Sequence, residues 1–251
     1  IEKYLMSKKV DLLVVYGDVN STLGATLAAV KMGIKVAHIE SGLRSHDRSM
    51  PEEINRMIVD RISDYHFVTE RDAVHNLLAE GLNRHSMFFV GNTMIDSLYG
   101  VLDKVPESSE KEEYILVTLH RPSNVDSELG LRKILDICRS IDKKIIFPMH
   151  PRTKNSFRKF GLLDEVSKIP NLKIIEPVGY FEFVSLMKNS FAVLTDSGGV
   201  QEETTALSVP CLTLRKNTER PSTVKEGTNQ LVDTPEEVVS AVSNIENEVG
   251  K

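Results

Sequence analysis

At 251 residues the chain has room for one large domain or two modest ones, at about 100–200 residues per domain. Its 41% hydrophobic and 27% charged residues are those of a globular protein that buries a core without disulfide or metal staples. Thirty-one Lys and Arg against 36 Asp and Glu leave a net charge of −5, which argues against broad nucleic-acid or membrane-surface binding while allowing a local basic pocket. Cys138 and Cys211 lie far apart inside apolar stretches and read as small buried residues of a reducing compartment. No apolar run approaches the roughly 18 residues of a membrane span and no signal pattern opens the chain, so a cytoplasmic protein is expected. Ile1-Glu2-Lys3 begins without Met and runs almost directly into a strong strand, which reads as a removed start or a fragment.

Apolar runs then alternate with amphipathic stretches. The run from Val10 to Tyr16 predicts a strand, and the Ala/Leu-rich residues 20–32 a helix capped by Asn20 or Ser21. Val36 to Ile39 precedes a loop and a helix with Pro51 at its first position. Tyr65 to Val68 precedes a helix over 70–80 closed by Gly81, and Met87 to Val90 precedes one over 92–104. A charged, solvated linker is expected at 106–113, dividing a partial first domain (1–105) from a second (106–251). Beyond it, strands are expected at 114–119, 144–148, 172–175, 191–195 and 210–214. The matching helices fall at 127–141, 152–163, 180–188, 198–207 and 235–247. Strands apolar on both faces, alternating with helices, indicate α/β architecture with sheets covered on both sides: two Rossmann-like domains with parallel sheets facing a central cleft. Four strands are few for the first of them.

Ligands of open parallel sheets bind beyond the carboxyl ends of the strands. There the chain places Asp18; Glu40, Ser41 and Gly42; His120 and Arg121; His150; and Asp196-Ser197-Gly198-Gly199. Gly198-Gly199 at the start of a helix leaves backbone N–H groups free at its positive end, with the Ser197 hydroxyl beside them, a pattern suited to phosphate or pyrophosphate. Glu203, one turn further on, suits a ribose hydroxyl or a solvated face. Glu52 and Glu53 complement the dipole of the helix they open. Asp18 and Glu40, on adjacent strand ends, suit proton abstraction and delivery. Arg44, Arg48, Arg56, Arg121, Arg215 and Arg220 are candidates for neutralising a diphosphate.

Absent motifs narrow the chemistry. There is no G-x-G-x-x-G of a nicotinamide site and no G-x-x-x-x-G-K-[ST] of an ATP loop. No H-E-x-x-H, paired C-x-x-C or G-x-S-x-G points to a metal or a serine nucleophile. The residues alone imply a two-domain protein that binds a nucleotide diphosphate and presents carboxylates and a histidine to it, with no cofactor.

Six segments stand out in order along the chain: Tyr16-Gly17-Asp18, His38-Ile39-Glu40-Ser41-Gly42-Leu43-Arg44, Pro51-Glu52-Glu53-Ile54-Asn55-Arg56, Thr118-Leu119-His120-Arg121, Thr195 to Glu203, and Thr218-Glu219-Arg220-Pro221. Together they resemble the UDP-N-acetylglucosamine 2-epimerase family, which has a glycosyltransferase-B-like fold. The resemblance implies acid/base roles for Asp18, Glu40 and Glu52, and substrate contact by His120. It implies a diphosphate cradle of Ser197, Gly198 and Gly199, a ribose contact at Glu203, a further UDP contact at Arg220, and Phe183 near the uracil. It implies interconversion of UDP-N-acetylglucosamine and UDP-N-acetylmannosamine at C2 by elimination and re-addition of UDP, in a homodimer, with UDP-sugar as partner. The family's opening Gly-Thr-Arg-Pro-Glu loop has no counterpart here, and the portion it belongs to amounts to about 60–90 residues at ~30 per βα unit. His120-Arg121-Pro122-Ser123-Asn124 and Ser222 also depart from the family's commoner residues. Alternatives are a hydrolysing relative releasing UDP and N-acetylmannosamine, a glycosyltransferase of similar architecture, and a non-catalytic UDP-sugar-binding protein.

Overall fold

Two wholly parallel sheets organise residues 1–108 and 110–249, which the computed structural model describes. They belong to two compact units: Ile1–Thr93 with Thr218–Ser222, and Met94–Asn217 with Thr223–Lys251.

The first unit holds β1 (Leu12–Tyr16), β2 (Lys35–Ser41), β3 (Tyr65–Val68) and β4 (Met87–Phe89), paired in that order. Its helices are α1 (Glu2–Ser7), α2 (Asn20–Lys31), α3 (Pro51–Ile62) and α4 (Arg71–Ala79). Alternation along the strands sends Val15, Val36, Val68 and Met87 to one face, where they are buried with Leu5, Ala29, Val59, Ala73 and Leu77 from the helices. The parallel register places Leu12, Val14, Tyr16 and Phe88 on the opposite face, and each of these is more than 40% exposed. The first sheet is therefore covered on one side rather than on the two expected, its second face carrying these exposed apolar side chains.

The second unit holds β5 (Tyr114–Thr118), β6 (Lys144–Pro148), β7 (Leu172–Ile175), β8 (Ala192–Thr195), β9 (Cys211–Leu214) and β10 (Asn229–Val232), in the order β10-β9-β8-β5-β6-β7. The remaining helices are α5 (Thr93–Tyr99), α6 (Pro122–Val125), α7 (Glu128–Ser140), α8 (Pro151–Lys159), α9 (Leu163–Val166), α10 (Tyr180–Lys188), α11 (Gly198–Ala206), α12 (Pro221–Lys225) and α13 (Pro235–Val249). Both faces of this sheet are buried. Ile115, Val117, Ile145, Phe147 and Leu194 join one core cluster, while Tyr114, Leu116, Ile146 and Val193 join another. The winding direction reverses between β5 and β8, so this pair is the switch point at which loops diverge and leave a crevice.

Most expected elements are present with ends shifted by a residue or two. The opening residues expected to run into the strand form α1 first. Val19 rather than Asn20 or Ser21 is the N-cap of α2, because Asn20 already has helical geometry and its side chain accepts from Asn55. The helix expected over 92–104 ends at Tyr99 and resumes as a single 3-10 turn, and the one over 152–163 is split by Gly161 at φ +69°. β10 was not expected at all. Of the expected linker, Ser109 lies outside the described residues; Glu110 is bonded to Lys144 (2.8 Å) and Lys173 (2.5 Å), and Leu98 is fully buried in the second unit's core. Both cysteines are buried and unpaired, as expected. Among the described residues no helix is long and apolar enough to cross a membrane.

Candidate active site

Strands β1 and β2 of the first unit end side by side, with Tyr16 level with Ile39, so Asp18 and Glu40 leave adjacent strand ends. Asp18 sits in a tight bend whose Gly17 has φ +68°, and its carboxylate accepts from Arg56 Nη1 at 2.7 Å. Its own carbonyl accepts from Asn55 Nδ2 at 2.8 Å. Glu40 adopts φ +71°, unusual for a residue with a side chain, where the β2–β3 register slips between Ile39 and Ser41. Such a conformation costs on the order of 1–3 kcal/mol and persists only where the surroundings impose it. Gly42 follows at φ +87° with the Ala73 carbonyl 2.5 Å from where a Cβ would stand, so only glycine fits. The carboxylate of Glu40 is ion-paired with Arg220, which belongs to the same unit.

Glu52 and Glu53 open α3 behind Pro51, and their environments differ. Glu52 is half-buried. Glu53 is 1% exposed and accepts from the Ser45 N–H (3.0 Å), the Ser45 hydroxyl (3.1 Å) and the His46 N–H (2.9 Å). Burial raises its pKa, but these bonds and the Arg56 charge outweigh it and hold the carboxyl below its usual range. Arg56, itself buried, thus bridges Glu53 (3.0 Å) and Asp18. Glu53 is a structural carboxylate, not merely a complement to the helix dipole.

At the β5/β8 switch point of the second unit, Asp196 is wholly buried and collects the neighbouring loop. It accepts the His120 N–H (3.1 Å to each oxygen), the Arg121 N–H (2.9 Å) and the Asn124 amide (3.0 Å). Its carbonyl accepts from Arg121 Nε at 2.9 Å. The His120 ring stands 3.5 Å from Asp196 through Nδ1 and packs against His150 with ring centroids 5.4 Å apart. Burial lowers the His120 pKa; the Asp196 charge opposes this, and the His150 and Arg121 charges add to the lowering. The ring is therefore neutral near pH 7 and can accept a proton or a hydrogen bond.

Ser197 is the N-cap of α11, with Gly198 and Gly199 in its first turn. No side chain caps these N–H groups, which leaves them available to an anion at the positive end of a nine-residue helix. Only the flexible end of Met94 lies near the missing Cβ of Gly199. Glu203, 6% exposed, accepts from the Tyr180 hydroxyl at 2.8 Å, and burial pushes its pKa up. Phe183 is half-buried and packs against the second unit's core, as does Val178.

The structure thus groups Asp18, Glu40, Glu52 and Arg220 in the first unit, and His120, Phe183, Ser197, Gly198, Gly199 and Glu203 in the second. Sequence reasoning missed Tyr180 as the partner of Glu203, because 23 residues separate them. It also missed Glu53, whose partners Ser45 and His46 lie in a loop with no periodicity to read.

The family described as UDP-N-acetylglucosamine 2-epimerase matches residues 1–250. The UDP-N-acetylglucosamine 2-epimerase of Methanocaldococcus jannaschii is 48% identical over 258 residues, covering 96% of this chain and 70% of that protein. The crystal structure of that archaeon's enzyme in complex with UDP-GlcNAc and UDP superposes with a TM-score of 0.91, covering 98% of this chain and 72% of that one at 47% identity. The Neisseria meningitidis enzyme bound to UDP-GlcNAc gives a TM-score of 0.87 at 32% identity, covering 99% and 71%. The chain spans about 70% of the length of these relatives.

Proposed function

The chain belongs to the UDP-N-acetylglucosamine 2-epimerase family, and from that premise we propose that it interconverts UDP-N-acetylglucosamine and UDP-N-acetylmannosamine without hydrolysis. The observation that carries this is the pair of carboxylates, Asp18 and Glu40, on adjacent strand ends, each held by an arginine.

Inversion at C2 requires breaking a C–H bond that no neighbouring carbonyl acidifies. In the proposed route the C1–O bond breaks first, its electron pair leaving with UDP. The oxocarbenium-like sugar then has an acidic C2 proton, which a carboxylate removes to give a glycal-like intermediate. A proton returns to the other face of C2, and UDP adds back at C1. The leaving diphosphate suits the uncapped N–H groups of Gly198 and Gly199 with the Ser197 hydroxyl, which act electrostatically on the departing charge. Glu203 suits the ribose, Phe183 the uracil side, and neutral His120 accepts from the substrate. Asp18, Glu40 and Glu52 supply the proton transfers, each worth roughly 10²–10⁴-fold in rate. Arg220, ion-paired with Glu40, links a UDP contact to a reacting carboxylate. The same reading takes the protein as a cytoplasmic homodimer.

Incubation with UDP-N-acetylglucosamine followed by anion-exchange chromatography tests the reading. A persistent UDP-N-acetylmannosamine peak supports it. Free UDP with N-acetylmannosamine indicates the hydrolysing reaction instead, and product formed only with an added acceptor indicates glycosyl transfer.

A further inference from the structure

None of the residues assigned to the chemistry above accounts for Asp60. It lies in α3 with no exposed surface, and both oxygens are fully engaged. Oδ1 accepts the Ser41 hydroxyl at 2.5 Å and faces His38 Nδ1 at 2.6 Å. Oδ2 accepts the Gly42 N–H at 3.0 Å and Arg44 Nη1 at 2.7 Å. All four partners lie on β2 or the loop that leaves it.

His38 extends this network to the bend that follows β1. Its Nε2 faces the Gly17 carbonyl at 2.9 Å. One ring nitrogen meets a carboxylate and the other a carbonyl, and both are acceptors. Only the doubly protonated ring donates to both. Arg44, which donates to Asp60 Oδ2, also grips the partly exposed carboxylate of Glu80 at 2.6 and 2.7 Å. The groups facing the ring are Asp60 from α3, the Gly17 carbonyl from the bend after β1 and the charge of Glu40 on its own strand. Behind Asp60 stand Arg44 and His66, whose Nε2 is 2.8 Å from the Asp60 carbonyl. Burial opposes the charge on His38, but Asp60 outweighs it and the pKa is raised; Asp60 in turn is held down at about 2.

We propose that Asp60 and His38 are a positioning pair for the reaction: Asp60, through an imidazolium at His38 and through the Ser41–Gly42 segment, fixes the carbonyl that precedes Asp18 and the backbone that follows Glu40. This rests on the assignment of Asp18 and Glu40 as reacting carboxylates. Each of them is one residue away from an atom that this pair holds, and the Glu40 backbone needs such a restraint to keep its positive φ. When His38 loses its proton, the bare Nε2 lone pair points at the Gly17 carbonyl and the hold on the Asp18 bend is lost.

Nitrogen-15 NMR of uniformly carbon-13/nitrogen-15-labelled protein at pH 8, with the His38 ring assigned by through-bond correlation to its own backbone, reads the ring directly. Two protonated nitrogens are expected at His38, and in Asp60→Asn one protonated and one bare. A neutral His38 in the unaltered protein overturns the proposal, and that result needs no variant to fold. In turnover, Asp60→Asn and His38→Gln should each lower kcat by about 10–100-fold, the scale of a small misplacement of reacting groups, with KM changed less than about threefold. The double variant should be no slower than the slower single one; multiplying losses, or a change in KM alone, overturn the proposal. The ring is read without substrate. A neutral ring therefore overturns the pair even in an active enzyme, whereas absent turnover with the imidazolium in place overturns the functional reading.

Discussion

Each of the two units buries one aspartate completely, and the two are satisfied in opposite ways. Asp60 of the first unit is surrounded by side-chain cations, His38 and Arg44, with one hydroxyl and one backbone N–H. Asp196 of the second unit takes two backbone N–H groups and an amide, with the His120 ring further off at 3.5 Å. The first arrangement makes strand-end geometry depend on a protonation state. The second staples a loop whatever the ring's charge, and leaves His120 free to be neutral. A unit meant to move protons and a unit meant to hold a diphosphate would differ in this way.

The comparison breaks most decisively at Asp18. Asp18→Asn should lower kcat by roughly 10²–10⁴-fold while calorimetric UDP affinity is retained, because Asp18 is assigned to proton transfer and the diphosphate cradle belongs to the other unit. Equal losses in both quantities would erase that division. Asp196→Ala comes next: it strands buried backbone donors at His120 and Arg121, and urea denaturation should show a loss of about 2–4 kcal/mol. Asp196→Asn, which keeps acceptor capacity, should lose less.

A smaller effect sharpens the contrast through pH. The folded pKa of His38 is raised, so its contribution to stability is fully present below the unfolded value near 6.5 and is lost as pH rises through the folded value. That of Asp60 is depressed to about 2, so its contribution is present above the unfolded carboxylate range and is lost only as pH falls toward 2. Denaturation midpoints of the unaltered protein should therefore fall on the alkaline side, and Asp60→Asn should flatten that slope. A slope unchanged by Asp60→Asn would separate His38 from it. The smallest effect is expected from Ser197→Ala, which removes one hydroxyl from the diphosphate cradle. It should weaken UDP binding by about 0.5–1.5 kcal/mol without changing stability.

Much of this was legible in the residues because strand-end motifs are local. Asp18, Glu40, His120 and Ser197-Gly198-Gly199 follow apolar runs that announce the strands, and the parallel fold puts strand ends where ligands bind. Asp60 gave no such sign: in Val59-Asp60-Arg61 it reads as one charge on an amphipathic helix, and only the fold brings β2 against it. His38 read as one position of an apolar strand for the same reason. β10 escaped because Asn229-Gln230-Leu231-Val232 is half polar, and Asn229 is buried through bonds to Thr213, Gln201 and Thr223 that no period encodes. The bare face of the first sheet was legible only as a count, four strands where more are usual; the structure turns that count into the exposed side chains of Leu12, Val14, Tyr16 and Phe88.

The central claim, that carboxylates remove the C2 proton and deliver one to the opposite face around a departing UDP, is tested most directly by running the reaction in D2O. UDP-N-acetylglucosamine is the substrate, and the C2 position of the UDP-N-acetylmannosamine formed is read by proton NMR. The account predicts product carrying deuterium at C2. Product that retains protium there throughout would contradict it.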